Sequence, residues 1–152
     1  MLLTKETDMT KRTPQREAFL TSVIITAIEG GIGYWAVARN YDWGTKEGGQ
    51  HSLDGAMYAR AHVRPQDGFA AVAEPGYPRK TLDDKGRWGI LDIDAVAHGL
   101  GRLRKDEDNK LCAKSIRKHI LGASAVNEGG DIDANDADII VQVALLGEVV
   151  YG

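Results

Sequence analysis

The sequence contains one cysteine, Cys112, and no long apolar run, and both shortages exclude whole classes of protein. One cysteine cannot form an intramolecular disulfide framework or a cysteine-rich zinc site, and this usage fits a reducing cytoplasm. Inside a predicted helix, a lone cysteine more often packs than reacts. The longest apolar run, residues 23–28, is interrupted by Thr26 and is much shorter than the ~20 residues of a transmembrane helix. We therefore expect no contact with a membrane.

Catalytic and metal-binding motifs are also missing. The histidines show no pair at the spacing typical of metal ligands. The sequence holds no serine nucleophile elbow, no HExxH motif and no P-loop. It therefore predicts a protein with no enzymatic activity, no metal and no cofactor. The four histidines are His51, His62, His98 and His119.

The composition is that of a folded, soluble protein, with 43% apolar and 27% charged residues among 152. A chain of this length most often forms one domain and buries enough surface to need no disulfide or metal. Residues 1–13 are polar and lack the apolar core of a signal peptide, so we expect them to be flexible, with Met9 as an alternative start. Residues 14–152 then form the single domain.

The first part of that domain predicts a helix that leads directly into a strand. Thr13 can cap the helix, and Pro14 suits its first position. The β-branched run 23–26 would favour a strand. However, the apolar face repeats at helical spacing over three turns, and Gly30 and Gly31 supply a natural helix end.

Two strands follow. In residues 34–43, we expect one face to carry Trp35, Val37, Tyr41 and Trp43, interrupted by Arg39, and the other to carry Tyr34, Ala36, Ala38 and Asn40. The second strand ends at Pro65. In it, the apolar residues Met57, Ala59, Ala61 and Val63 alternate with the polar residues Tyr58, Arg60, His62 and Arg64.

The rest of the chain predicts short strands at 69–73 and 87–91, three further helices and several loops. A helix capped by Asp92 or Asp94 buries Ile93, Val96, Ala97, Leu100 and Leu103. A basic helix, 110–121, buries Leu111, Cys112, Ile116 and Ile120 and ends at Gly122. The last helix is capped by Asp133 and buries Ile139, Val143, Leu146 and Val150. We expect loops at 44–54, 75–85, 105–109 and 122–133.

These elements predict an α+β fold in which about four helices pack on a small, mainly antiparallel sheet. The first and last helices supply most of the core. We also expect self-association into a homo-oligomer, because the aromatic strand 34–43 offers more apolar surface than such a small sheet can cover.

Residues 31–36 match the dinucleotide fingerprint G-x-G-x-x-[G/A] through Gly31, Gly33 and Ala36. That motif requires a strand before it and a helix after it, so that a pyrophosphate meets the helix N-terminus. The predicted order here is the reverse. Asp54, about 20 residues on, lies in a loop, so we interpret the glycines as a helix end.

The segment from Asp131 to Asn135 resembles the start of a calcium-binding loop. Its sixth position needs glycine and holds Asp136, and its twelfth needs glutamate and holds Gln142. Capping of the last helix explains these acidic residues better.

Charge is unevenly distributed along the chain. Residues 102–118 contain seven basic and three acidic residues, whereas residues from 123 onward contain six acidic and no basic ones. The two helices around Lys105 are compatible with a helix-turn-helix that binds nucleic acid, although the turn is acidic and long. The residues that would contact phosphate are Arg104, Lys105, Lys110, Lys114, Arg117 and Lys118.

The second strand carries a cationic face that suggests a ligand. Arginines beside aromatic rings suit a planar anion such as a nucleotide, through ion pairing and stacking. The alternative is that the tryptophans are core residues and the arginines face solvent. The candidate ligand-binding residues are Trp35, Trp43, Tyr58, Arg60, His62 and Arg64.

Two segments, EGGIGYWA (29–36) and DADIIVQVALLGEVVYG (136–152), resemble uncharacterised proteins encoded by phages of actinobacteria and by related bacterial genomes. The resemblance assigns no activity to any residue. It implies a phage-borne accessory protein that acts in the cytoplasm of a bacterial host. Small phage proteins of this kind are often non-catalytic binders, including inhibitors of host defence that act on a host protein or sequester a nucleotide signal. DNA binding through the basic helix 110–121 is the alternative.

Overall fold

The computed structural model describes residues 12–44, 58–69 and 88–152. Within these ranges, four α-helices pack against a three-stranded antiparallel sheet of order β1-β2-β3, which confirms the predicted fold class. None of these helices combines the length and the hydropathy needed to span a bilayer. The predictions for residues 1–11, 45–57, 70–73 and 75–85 lie outside the described residues. The elements are α1 (Pro14–Thr26), β1 (Ala36–Gly44), β2 (Tyr58–Pro65), β3 (Gly89–Leu91), α2 (Ile93–Lys105), α3 (Lys114–Ala125) and α4 (Ala134–Leu146).

Helix α1 begins where the sequence predicts, and the π-helical turn that continues it ends at the predicted glycines. The Thr13 hydroxyl accepts the Arg16 backbone N–H at 3.1 Å, and Pro14 takes the first helical position. The helix then widens into a π-helical turn, Ala27–Gly31. A Cβ on Gly31 would lie 2.7 Å from the Ala134 carbonyl oxygen, so this glycine allows the turn to approach the start of α4. Close packing therefore explains the glycine, and the helix-then-strand order is the reverse of a dinucleotide site.

Strand β1 contains a bulge that the sequence did not predict. Arg39 pairs with His62 and Asp42 with Arg60, so two residues of β1 lie opposite one residue of β2. Asn40, inside the bulge, has φ 55°, a left-handed conformation that asparagine tolerates. The extra residue reverses the alternation. The prediction that Val37 and Trp43 share a face is therefore wrong: Val37 pairs with Arg64, whereas Trp43 pairs with buried Ala59.

Strand β2 follows the predicted alternation. Ala59, Ala61 and Val63 are buried against the helices, and the residues between them face the other way. The strand predicted at 87–91 is confirmed over Gly89–Leu91 as β3, whose buried Leu91 pairs with Ala61.

Helix α2 is capped by the Asp92 side chain and buries Val96, Leu100 and Leu103 completely, as predicted.

Helix α3 departs from the predicted bounds 110–121. The Asp106 carboxylate accepts the backbone N–H groups of Lys110 and Leu111, which holds that segment in a turn, so the helix starts only at Lys114. It also continues past Gly122 to Ala125, and the chain then turns at Asn127, whose φ is 57°.

Helix α4 is the central helix of the fold. Asp133 and Asp136 form a capping box at its start, which confirms Asp133 as the N-cap. Every residue from Asp136 to Leu146 is buried, so α4 has no solvent-facing stripe, and α1 contributes the second largest buried set. The predicted buried position of Val150 is wrong: it lies beyond the helix and is 39% exposed. The helix ends at Gly147, whose φ of 85° terminates it in the left-handed conformation.

Candidate functional site

The face of the sheet that points away from the helices gathers most of the predicted ligand-binding residues. Directly paired residues of antiparallel strands share a face, so the register defines its members. We call this surface the outer face. It consists of Val37, Arg39, Asp42, Gly44, Tyr58, Arg60, His62, Arg64 and Ile90, together with Trp88 just before β3.

Two arginines of the outer face lie over the indole ring of Trp88. The guanidinium carbon of Arg39 is 4.0 Å from the ring centroid, and that of Arg64 is 4.9 Å from it. Both distances are within the ~6 Å range of cation–π attraction. The Arg64 guanidinium is also fixed by hydrogen bonds to the carbonyl oxygens of Pro65 and Gln66, both at 3.0 Å. These contacts join all three strands into one cationic, aromatic cluster.

The remaining polar residues are positioned by contacts along β1. The Tyr58 hydroxyl donates to the Asp42 carboxylate at 3.2 Å. Desolvation and then the Asp42 charge raise the pKa of Tyr58, so its phenol stays neutral and keeps its donor role at neutral pH. The Asn40 amide nitrogen lies 3.2 Å from Nδ1 of His62, which fixes the imidazole beside the bulge.

The charge of the outer face is positive. Its described residues include three guanidinium groups, those of Arg39, Arg60 and Arg64, against the one carboxylate of Asp42. Arg39 and Arg60 are exposed, and Arg64 is half-buried. A planar cation over an aromatic ring, with further charges nearby, can pair with an anionic group and stack against a flat one.

The two tryptophans predicted for this site lie elsewhere. Trp35 is 3% exposed, stacks on the Tyr151 ring at 5.0 Å between centroids, and donates its Nε1–H to Asp138. Trp43 pairs with Ala59 on the side that faces the helices and packs against the core. The structure therefore brings together Tyr58, Arg60, His62 and Arg64 without either tryptophan.

One signal in the sequence could have located Trp88, the tryptophan that takes their place. In the predicted strand 87–91, strict alternation puts Trp88 and Ile90 on one face and Leu91 on the other, which the β3 register matches. Arg39 was interpreted as a break in an aromatic face, whereas the bulge makes it a member of the cationic one. The contact between Arg39 and Trp88 on the outer face depends on pairing between distant strands, which the pattern within one segment does not reveal.

Two of the basic residues of the nucleic-acid alternative have identifiable structural surroundings. Arg117 donates to the carbonyl oxygens of Leu103 and Arg104 at 2.7 and 2.8 Å, so it satisfies the C-terminal end of α2. Arg104 lines a cavity beside α1. The connection from α2 to α3 spans residues 106–113, longer than a helix-turn-helix allows. Lys105, Lys110, Lys114 and Lys118 are exposed.

The acidic residues around the start of α4 cap that helix and contact His119. The His119 Nε2 lies 2.7 Å from the Asp131 carbonyl oxygen and 3.4 Å from the buried Asp136 carboxylate. Within residues 12–44, 58–69 and 88–152, no three histidine, cysteine or acidic residues are grouped as metal ligands. The carboxylates of Asp133 and Asp136 thus have structural partners, whereas Asp131 contributes its backbone carbonyl oxygen.

Comparison of the chain with family models, curated proteins and solved structures gave no match. The outer face and the cavity beside α1 are therefore interpreted from their own geometry.

Proposed function

We propose that this protein is a phage-encoded, non-catalytic binding protein whose outer face takes a planar, anionic ligand such as a nucleotide. The observation that carries the proposal is the contact of Arg39 and Arg64 with Trp88 on a face that also exposes Arg60. The phage setting rests on the resemblance of segments 29–36 and 136–152. It gives the binding a role against host defence, by sequestering a nucleotide signal or by binding a host protein.

The geometry supports a flat ligand more than a compact ion. Nucleic-acid bases stack on aromatic rings and on arginine guanidinium planes, and each such stack contributes about 1–3 kcal/mol. Trp88 orients the exposed guanidinium of Arg39, which reduces the entropy lost when a base stacks on it. Arg60 pairs across the strands with Asp42 and places a second cation beside that platform for a phosphate group.

A purely structural role for the cluster makes a different prediction. Each cation–π contact contributes about 0.5–1 kcal/mol at an exposed site, so the cluster could serve only to stabilise the packing of the sheet, with no ligand. In that case, variants of Arg39 and Trp88 would unfold at lower temperature, and no nucleotide would change the unfolding temperature of the native protein.

A thermal-unfolding screen against mono-, di- and cyclic nucleotides tests the proposal. A ligand at 100 times its Kd stabilises the fold by about 2.7 kcal/mol, which raises Tm by roughly 5–10 °C for a chain of this size. We expect R39Q and W88A to weaken binding at least tenfold by calorimetry. The matched control is K110Q, which removes the same charge from the exposed turn before α3.

Absence of any nucleotide response would contradict the ligand version of the proposal, as would a response that R39Q and W88A leave intact. A host protein bound through the same face would be retained on the immobilised native protein and lost from R39Q and W88A. Retention by both variants would contradict binding through the outer face.

DNA binding through α3 remains the alternative proposal. It predicts an affinity that falls steeply with salt and is lost when Lys114 and Lys118 are changed to glutamate. Arg117 is left intact in this experiment, because its bonds to the end of α2 make any loss of binding ambiguous. Binding that is absent or insensitive to salt would contradict the alternative.

We also propose self-association, through the edge of the sheet that β1 forms among the described residues. Trp35 is in the core and Tyr41 and Trp43 are partly buried, so β1 leaves Val37, 36% exposed, as its large apolar residue on the outer face. Within the described residues β1 is an edge strand, and an edge can pair with a second copy. Light scattering that gives a monomer mass would contradict this.

A further inference from the structure

A second group of arginines borders a cavity of about 620 Å³ beside α1. Arg12 lies just before α1, Arg16 lies in its first turn and Arg104 lies at the end of α2. Residues at the end of α3 complete the lining. The other five lining residues are uncharged. None of them belongs to the outer face, so this cavity is a separate feature of the molecule.

Two of these arginines are held in place by the fold. The Arg16 Nη1 donates to the Ser124 carbonyl oxygen at 2.6 Å and to Oδ1 of Asn127 at 3.1 Å. The Arg12 Nη1 donates to the Asp94 carboxylate at 2.7 Å. A ligand that meets fixed guanidinium groups immobilises fewer side chains when it binds.

The charge around the cavity is unbalanced. The N-terminus of α1 and the C-terminus of α3 both border it, and their partial charges of about half an elementary charge have opposite signs and offset each other. Among the described residues, three guanidinium groups line the cavity, and the carboxylate that forms an ion pair with one of them is that of Asp94. Burial, followed by repulsion from Arg104 and Arg12, lowers the pKa of Arg16, which still stays protonated at neutral pH.

We propose that this cavity binds a phosphate-bearing small molecule. Guanidinium groups pair with phosphate oxygens in a bidentate manner, and a phosphate carries enough oxygens and charge to engage Arg16 and Arg104 together. The volume falls within the ~300–1,000 Å³ of small-molecule sites and exceeds the space that one inorganic phosphate fills. The bonds of Arg16 to Ser124 and Asn127 also cap α3, but that role needs neither Arg12 nor Arg104.

Calorimetric titration with inorganic pyrophosphate at low ionic strength tests the proposal. Arg104 is the residue to change, because its side chain can be altered without removing the bonds that fix Arg16. We expect R104Q to bind pyrophosphate at least tenfold more weakly than the native protein. K110Q, which removes an equal charge from the exposed turn before α3, should change the affinity by less than twofold.

Four results would overturn the assignment: no binding of pyrophosphate at millimolar concentration, equal weakening in R104Q and K110Q, unchanged binding in R104Q, or citrate binding as tightly as pyrophosphate. Weakening in W88A as large as that in R104Q would overturn it as well, because pyrophosphate would then bind at the outer face. Circular dichroism of each variant confirms that it is folded before its affinity is compared.

Discussion

Trp35 donates its indole Nε1–H to the Asp138 carboxylate at 2.8 Å, although 103 residues separate them in the chain. The same carboxylate accepts the Tyr34 hydroxyl at 2.6 Å and the Gln142 amide at 2.9 Å. Gln142 in turn accepts the backbone N–H groups of Val150 and Tyr151, both at 2.8 Å. This network joins the turn before β1, the middle of α4 and the C-terminal segment.

Asp138→Ala should therefore destabilise the protein by about 3 kcal/mol, because it leaves the buried indole N–H of Trp35 without an acceptor and removes one of the acceptors of the Gln142 amide. Urea unfolding measures the change, which corresponds to a fall in Tm of roughly 6–12 °C. Glu107→Ala, at an exposed acidic residue, is the control and should stay within about 0.5 kcal/mol of the native protein. Equal stability of the two variants would contradict a structural role for the network.

The contact between Gly31 and α4 predicts a position-specific effect of adding one methyl group. A Cβ on Gly31 would lie 2.7 Å from the Ala134 backbone carbonyl oxygen, so Gly31→Ala should cost about 1–3 kcal/mol through overpacking. At Gly30 the nearest atom would be 3.9 Å away, in ordinary contact. Gly30→Ala is thus a matched control that should be neutral or stabilising by up to about 1 kcal/mol. Urea unfolding gives the free energy of unfolding of each variant. If Gly30→Ala proved less stable than Gly31→Ala, the predicted contact between Gly31 and α4 would be contradicted.

Local signals in the sequence predicted where helices begin. Thr13, Asp92 and Asp133 all accept backbone N–H groups within three residues, so the chemistry that starts each helix lies within one window of sequence. The predicted start of α3 is wrong because the Asp106 carboxylate accepts the backbone N–H groups of Lys110 and Leu111. These bonds hold residues 110 and 111 outside the helix, which therefore begins later, at Lys114.

The composition of the outer face could be predicted only in part. Strand alternation is local, and it correctly grouped Tyr58, Arg60, His62 and Arg64 on one side of β2. The membership of Arg39 depends on one extra residue in a bulge, which reverses the alternation beyond it. The contacts of Arg39 and Arg64 with Trp88 depend on pairing between distant strands, and no single segment encodes them.

Cys112 should react slowly with thiol reagents. It is half-buried against the core, and burial, followed by the charge of Asp106, raises its pKa, so little thiolate exists at neutral pH. We expect labelling by a chromogenic disulfide at pH 7.5 to be at least tenfold slower in the folded protein than in urea. Equal rates in the two conditions would contradict the packing role of this cysteine.

His119 should make the stability of the fold depend on pH near neutrality. Its hydrogen bond to the Asp131 carbonyl oxygen, followed by the charge of Asp136, raises its pKa above the ordinary value of about 6.5. The stabilisation is therefore fully present below pH ~6.5 and is lost as the pH rises through the higher pKa of the folded state. Nuclear magnetic resonance titration of the imidazole should give a lower pKa in Asp136→Asn, which keeps the capping acceptor for Asp133 and removes the charge. Asp131→Asn retains the backbone carbonyl and should lower the pKa less. An imidazole that titrates at 6.5 or below in the native protein would contradict the prediction.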